Sequence, residues 1–294
     1  DDWFFVRHGK RVYDRSRYQL DYRNPAVRDY ADQVIDRLVC DYGVGYIKMD
    51  YNIEPGIGTE LNADSVGDGM LAHERSYLSW LDGVFARYPD LIIENCSSGG
   101  MRIDYAMLSR YSIQSTSDQE NYLDYATIAA NSPSGLTPEQ SAVWTYPMNH
   151  EEQVPEDALK EEVVFNMVNA MLLRVHQSGH LAKLDDARKE LVKEGLDLYK
   201  KIRSDIKDFY PFWPLGLSSY ADEWVSLGMR GEKKCYLAVW RREGTQESRV
   251  LPVAGLAGRE VNVRCIYPSY AKDAYAWNER TGTLSVEQKK EKTA

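Results

Sequence analysis

The sequence predicts an α/β protein, with parallel βαβ units over residues 1–212 followed by a small antiparallel β domain over 213–294. Three observations carry that reading. Between about residues 24 and 182, amphipathic helical segments alternate with short apolar strands, the pattern of parallel units. Successive strands finish in a carboxylate or run into polar residues. Beyond about residue 214, short strands are separated by Gly- and charge-rich turns, as in antiparallel sheet.

Asn24-Pro25 is a helix start, with Asn as cap and Pro in the first turn. Val27, Tyr30, Ala31, Val34, Ile35 and Leu38 then recur at helical spacing, and Gly43 and Gly45 end the helix. Gly45 to Asp50 reads as a buried strand ending in charge. Residues 72–87 form the next helix, stopped by Pro89, and Leu91-Ile92-Ile93 is a strand that runs into Glu94 to Gly100. A short helix near 104–111 precedes the strand Ser112 to Ser115, which leads to Thr116-Ser117-Asp118. Helices follow near 159–177 and 184–207. In the last region, strands are expected at Trp224–Leu227, Cys235–Trp240, Arg249–Leu251 and Val261–Ile266, with a Lys/Glu-rich solvated tail at 287–293.

A net charge of −9 argues against a nucleic-acid partner. No apolar run reaches the roughly 18 to 20 residues of a membrane helix, and the opening Asp1-Asp2-Trp3 lacks a signal-peptide pattern. Cys40, Cys96, Cys235 and Cys265 are scattered, without C-x-x-C or a His cluster, which argues against structural zinc and fits a reducing cytoplasm. The 7 Trp, 21 Tyr and 6 Phe suit sugar faces, though core packing also uses them.

Asp50, Glu94 and Asp118 sit at or just beyond the ends of three successive strands, where open and closed α/β sheets build their sites. Retaining glycosidases need two carboxyls about 5 to 5.5 Å apart, one ionised and one protonated. A metal-dependent barrel enzyme uses Lys and acids on strand ends too, so the pattern alone leaves both open.

Tyr46-Ile47-Lys48-Met49-Asp50-Tyr51-Asn52 resembles the Y-I-K-W-D-M-N signature of the α-galactosidases of glycoside hydrolase family 36. Glu94 to Asp104 resembles that family's E-x-C-S-x-G-G-x-R-x-D loop, and Thr116-Ser117-Asp118 its W-T-S-D-N strand end. Arg15, Leu20-Asp21 and Asn24-Pro25 match its G-R-x-x-x-x-L-D-x-x-N-P segment, and Ser178-Gly179 with Leu198 to Arg203 its late barrel and last helix. The resemblance implies a (β/α)₈ barrel lacking its first N-terminal strands in this sequence, with six strands present, then the β domain. It implies a retaining enzyme for terminal α-galactosyl residues, with Asp50 as nucleophile and Asp118 as acid/base. Lys48, Asn52 and Arg15 take the positions that bind galactose hydroxyls, and Cys96 and Gly99 lie beside the sugar's 2-position. Lys48 shares the Asp50 face by strand alternation. Glu94 is read as orienting the glycine loop, and His150 and His180 as flanking the pocket or as structural residues.

Met49 and Tyr51 depart from the family pattern but are expected to face away from the sugar. Ser115 stands where the family has Trp, which predicts space for a 2-acetamido group and so α-N-acetylgalactosaminide as an alternative substrate. A non-catalytic galactoside-binding fragment is the alternative from another class. No cofactor and no metal is expected; a homo-oligomer is compatible.

Overall fold

The computed structural model describes residues 2–148, 156–271, 274–289 and 292–294. Contacts gather the chain into two units, Asp1–Ser115 and Thr116–Ala294, so the expected boundary at 212/213 falls inside the second.

The first unit opens with two small antiparallel pairs, β1 (Val6–Arg7) with β2 (Lys10–Arg11) and β3 (Tyr13–Asp14) with β4 (Arg17–Tyr18). Asn24 caps α1 (Pro25–Asp36) as its sequence signals, accepting the Ala26 amide at 2.9 Å. Val27, Ala31 and Ile35 form its buried stripe, while Tyr30 is exposed. A single π-helical turn, Arg37–Asp41, ends it. Ser65 caps α2 (Val66–Arg87), which buries His73, Tyr77, Trp80, Leu81 and Val84. Gly69 lies in this helix because a Cβ there would collide with the Thr59 carbonyl. That close approach seats the segment after Asp50 against α2.

Three parallel strands complete the unit: β5 (Tyr46–Asp50), β6 (Ile92–Cys96) and β7 (Ile113–Ser115), with β5 on β6 and β6 on β7. Strand alternation sorts β5 cleanly. Ile47 and Met49 pack into the cluster of Ile35, Tyr77, Leu81, Ile93 and Tyr111, while Tyr46, Lys48 and Asp50 occupy the open face. The helix read at 104–111 is the short α3 (Tyr105–Leu108), capped by Asp104.

In the second unit, α4 (Tyr122–Asn131) precedes the parallel pair β8 (Ser141–Thr145) and β9 (Arg174–Gln177), between which lies α5 (Glu156–Met171). Here two expectations fail. The helix read over 159–177 stops at Met171, because Arg174–Gln177 gains a ladder with Ser141–Thr145. An unbroken apolar run cannot mark that change from helix to strand. The parallel strands therefore number five, not six, among the described residues, since the segment before α1 forms antiparallel pairs.

After α6 (Asp186–Ile206), β10 (Tyr210–Phe212), β11 (Trp224–Arg230) and β12 (Cys235–Arg241) form one antiparallel sheet. A second consists of β13 (Ser248–Pro252), β15 (Thr283–Glu287) and β14 (Ala274–Asn278). Val261–Ile266 forms no strand; the Cys265 amide donates to the Tyr275 hydroxyl at 3.4 Å instead of a ladder. The antiparallel part joins the unit's core through side chains. Trp213 donates to the Ala130 carbonyl at 2.6 Å, and Asn131 brackets Ser218. Trp240, Leu227 and Met229 then bury with Phe165 and Met167 of α5.

Candidate active site

In the first unit the register sets Asp50 opposite Cys96 and Lys48 opposite Glu94. Parallel partners share a face, so two cross-strand rows result. In the first row, the Cys96 thiol lies beside Asp50, with Ser115 and the Gly99 amide also within its surroundings. Burial pushes this thiol above its ordinary range; the Gly99 amide moderates the rise and Asp50 reinforces it.

Asn52 completes the setting of Asp50. Its Nδ2 donates to Asp50 Oδ2 at 2.5 Å, and its Oδ1 accepts the Ser98 amide at 2.5 Å. One side chain thus bridges the carboxylate and the glycine loop. Ser98 and Gly99 both have positive φ, which folds that loop back so that the Ser97 amide meets the Gly99 carbonyl at 3.2 Å.

In the second row, Lys48 Nζ lies 3.6 Å from Glu94 Oε1, and Tyr46 donates its phenolic hydrogen to Glu94 Oε2. Glu94 is 1% exposed. It braces Lys48 and Tyr46. Arg15 sits at the turn between β3 and β4 with positive φ, its guanidinium 2.8 Å from Glu54, which follows the Asp50 strand. The structure thus groups Asp50, Asn52, Cys96, Gly99 and Ser115, sets Lys48 one repeat away, and gives Arg15 to Glu54. Ser115 is fully buried.

Asp118 belongs to the second unit and is exposed, on the segment leading into α4. Thr116 anchors that segment, its hydroxyl donating to the Ala142 carbonyl at 2.7 Å, and Asn121 caps α4. Burial pushes the Tyr125 and Tyr146 phenols up to about 12, and the negative charge of Asp118 adds to both shifts. Both phenols therefore stand as neutral hydroxyls. His180 is exposed, its amide on the Met148 carbonyl at 2.9 Å; His150 lies outside the described residues.

Sequence reading missed the residues that hold the loops. Arg102 donates to the Tyr51 carbonyl at 3.2 Å and the Ile53 carbonyl at 2.8 Å, and stacks 3.6 Å over the Tyr51 ring. Asn95 donates to the Arg102 carbonyl at 3.1 Å and to Gln114 at 2.6 Å, and Ser97 donates to the Tyr51 carbonyl. Asn95, Ser97 and Arg102 all fall within the Glu94–Asp104 motif, whose Arg was the available signal. Among the described residues, no group of three or more His, Cys, Asp and Glu side chains is placed to hold a metal ion, and no helix is long and apolar enough to cross a membrane.

A family model described as Melibiase matches residues 1–208. The bifunctional α-galactosidase/sucrose kinase AgaSK of Mediterraneibacter gnavus is 28% identical over 241 residues, 77% of this chain and 23% of that protein. The α-galactosidase AgaA of Geobacillus stearothermophilus is 25% identical over 225 residues, 69% of this chain and 28% of that one. The chain thus spans about a quarter of the length of these relatives. Among solved structures, a variant of the same AgaA, a GH36 α-galactosidase in complex with raffinose, aligns with a TM-score of 0.73 at 20% identity, covering 87% of this chain and 36% of that one. The galactosidase domain of the α-galactosidase–sucrose kinase AgaSK gives 0.70 at 19% identity, covering 97% and 40%. These likenesses show a shared fold.

Proposed function

The chain belongs to the melibiase family, glycoside hydrolase family 36, and from that premise we propose that it is a retaining exo-glycosidase acting on terminal α-D-galactosyl residues. The observation that carries the reading is the setting of Asp50. It lies on the open face at the C-terminal end of a parallel strand, with Asn52 donating to its carboxylate and fixing its orientation.

In this mechanism the Asp50 carboxylate attacks the anomeric carbon while the glycosidic C–O bond breaks. Asp118, protonated, gives its hydrogen to the departing oxygen. Water then attacks the same carbon, Asp118 takes its proton, and the ester bond to Asp50 breaks. Two inversions leave the configuration unchanged. The two carboxyls are expected at about 5 to 5.5 Å across the sugar. Lys48 and Arg15, which also face Glu94 and Glu54, are read as hydrogen-bond donors to the galactose hydroxyls. Gly99 and Cys96 lie at the 2-position, with Ser115 as support behind them. The enclosure of Ser115 favours the plain α-galactoside over its 2-acetamido counterpart. The five parallel strands are read as part of a (β/α)₈ barrel and β10–β15 as a C-terminal β domain.

The test is covalent trapping. An activated 2-fluoro-galactoside should form an ester found by mass spectrometry on the peptide containing Asp50. Binding without any label would make the chain a galactoside binder, and abolition of turnover by EDTA would point to metal-assisted chemistry.

A further inference from the structure

Beneath the first row lies a buried chain of polar groups that the mechanism above does not use. His73, on α2, is 0% exposed, its ring edge-on to Phe5 at 4.7 Å and Tyr22 at 5.8 Å. The Tyr22 amide donates to His73 Nδ1 at 3.1 Å. That bond places the ring hydrogen on Nε2, which faces the Tyr51 hydroxyl at 3.0 Å. The Tyr51 hydroxyl in turn donates to Gln19 Oε1 at 3.0 Å, and Gln19 Nε2 donates to the Leu20 carbonyl at 2.7 Å. Every hydrogen in the series has one direction.

Tyr51 stands between Asp50 and Asn52, where the family pattern carries Met. Its backbone is held from the other side, its amide on the Cys96 carbonyl at 2.8 Å and its own carbonyl taking Ser97 and Arg102. Arg102 also lies 3.6 Å over its ring. The residue is therefore clamped at backbone, ring face and ring tip. The next side chain, Asn52, makes the two 2.5 Å bonds that orient Asp50 and tether Ser98. A shift at Tyr51 is passed directly to that bridge.

We propose that the Tyr51 hydroxyl, braced by His73 Nε2, is a positioning group that sets Asn52 and hence the attack angle of the Asp50 carboxylate. The inference rests on Asp50 being the nucleophile. It adds a residue pair whose side chains point away from the sugar. Orientation of a reacting group governs the rate of the chemical step more than ground-state binding.

The experiment uses the full chain and two readouts, the rate and saturation of labelling by the activated 2-fluoro-galactoside, and hydrogen exchange at the Ser98 amide. Tyr51→Phe keeps the ring and its Arg102 stack while removing the hydroxyl. It should slow labelling at saturation about five- to tenfold, the weight of one neutral hydrogen bond, leave half-saturation within about threefold, and speed Ser98 exchange by a similar factor. His73→Gln, whose amide can stand in for Nε2, should stay near wild type. His73→Asn, which can stand in only for Nδ1, should behave like Tyr51→Phe; it guards against misfolding of either variant alone. Unchanged labelling and unchanged Ser98 exchange in both Tyr51→Phe and His73→Asn overturn the proposal, as does equal damage from His73→Gln and His73→Asn. If the wild type itself takes no label while Ser98 exchange still responds, the nucleophile assignment falls and the bracing of Asn52 stands.

Discussion

The segment that follows Asp50 and the segment that carries Asp118 are built by opposite means. The first is pinned by long-range bonds: Tyr51 to Cys96, Arg102 to two carbonyls, Asn52 to Ser98, and His73 to the Tyr51 ring. The second is anchored at Thr116 and then held by short local turns. There the Gln119 amide donates to the Ser117 hydroxyl at 3.0 Å and the Asn121 amide to Gln119 at 3.0 Å. The contrast suits the two tasks proposed for Asp50 and Asp118. A nucleophile must hold one line of attack in a low-reorganisation setting. A group that first gives and then takes a proton works from a less constrained chain.

The largest effect should come from the pinned side. Asp50→Ala should lower turnover of an aryl α-galactoside by roughly 10⁴ to 10⁶-fold with an unchanged melting temperature, since the side chain is exposed; steady-state kinetics beside thermal melts would check both. Asp118→Ala should cost about 10² to 10⁴-fold on poor leaving groups. The loss should shrink with activated aryl galactosides and be offset by azide, which needs no base to attack. Equal insensitivity to leaving group in both variants would erase the distinction between the two segments.

Three smaller effects concern stability. Arg102→Ala removes charged donors to two buried carbonyls and should destabilise the first unit by about 2 to 3 kcal/mol, read by urea denaturation. Asp21 supplies a pH signature. It is buried, which opposes its charge, yet the hydrogen bonds and charge of Arg23 hold its carboxyl down at about 2 from the ordinary 3.8. A lowered folded value means stability present above about pH 4 and lost as pH falls toward 2, worth about 2 kcal/mol. Asp21→Asn should flatten that acid limb in melts taken across the range. Smallest of all, Ser117→Ala on the locally held segment should cost under about 1 kcal/mol; a loss matching Arg102→Ala would remove the contrast.

Local chemistry explains what was legible. Asn24-Pro25 reads as a helix start because cap and ring act within one turn, and α1 begins there. The faces of β5 follow from alternation alone. Partnership between distant residues is another matter. Nothing in Arg174-Val175-His176-Gln177 announces a strand until Ser141–Thr145 stands beside it, and Val261–Ile266 has the alternating pattern yet finds no ladder. The same limit applies to the site. Asp50, Asn52 and Cys96 stand out by motif, whereas the roles of Tyr51, His73 and Gln19 depend on α2 and the N-terminal segment meeting under β5. The pairing of Glu94 with Lys48 likewise comes from parallel register, which no spacing in the chain announces.

The five residues of β5 divide their labour by parity, and that has a practical consequence for anyone altering the protein. Ile47 and Met49 answer to the interior, Tyr46, Lys48 and Asp50 to the open side. A combinatorial library restricted to the odd-numbered pair would search for thermal robustness while leaving reactivity untouched, and one restricted to the even-numbered trio would do the reverse. Two nearly orthogonal traits are thus encoded, interleaved, along a single extended peptide.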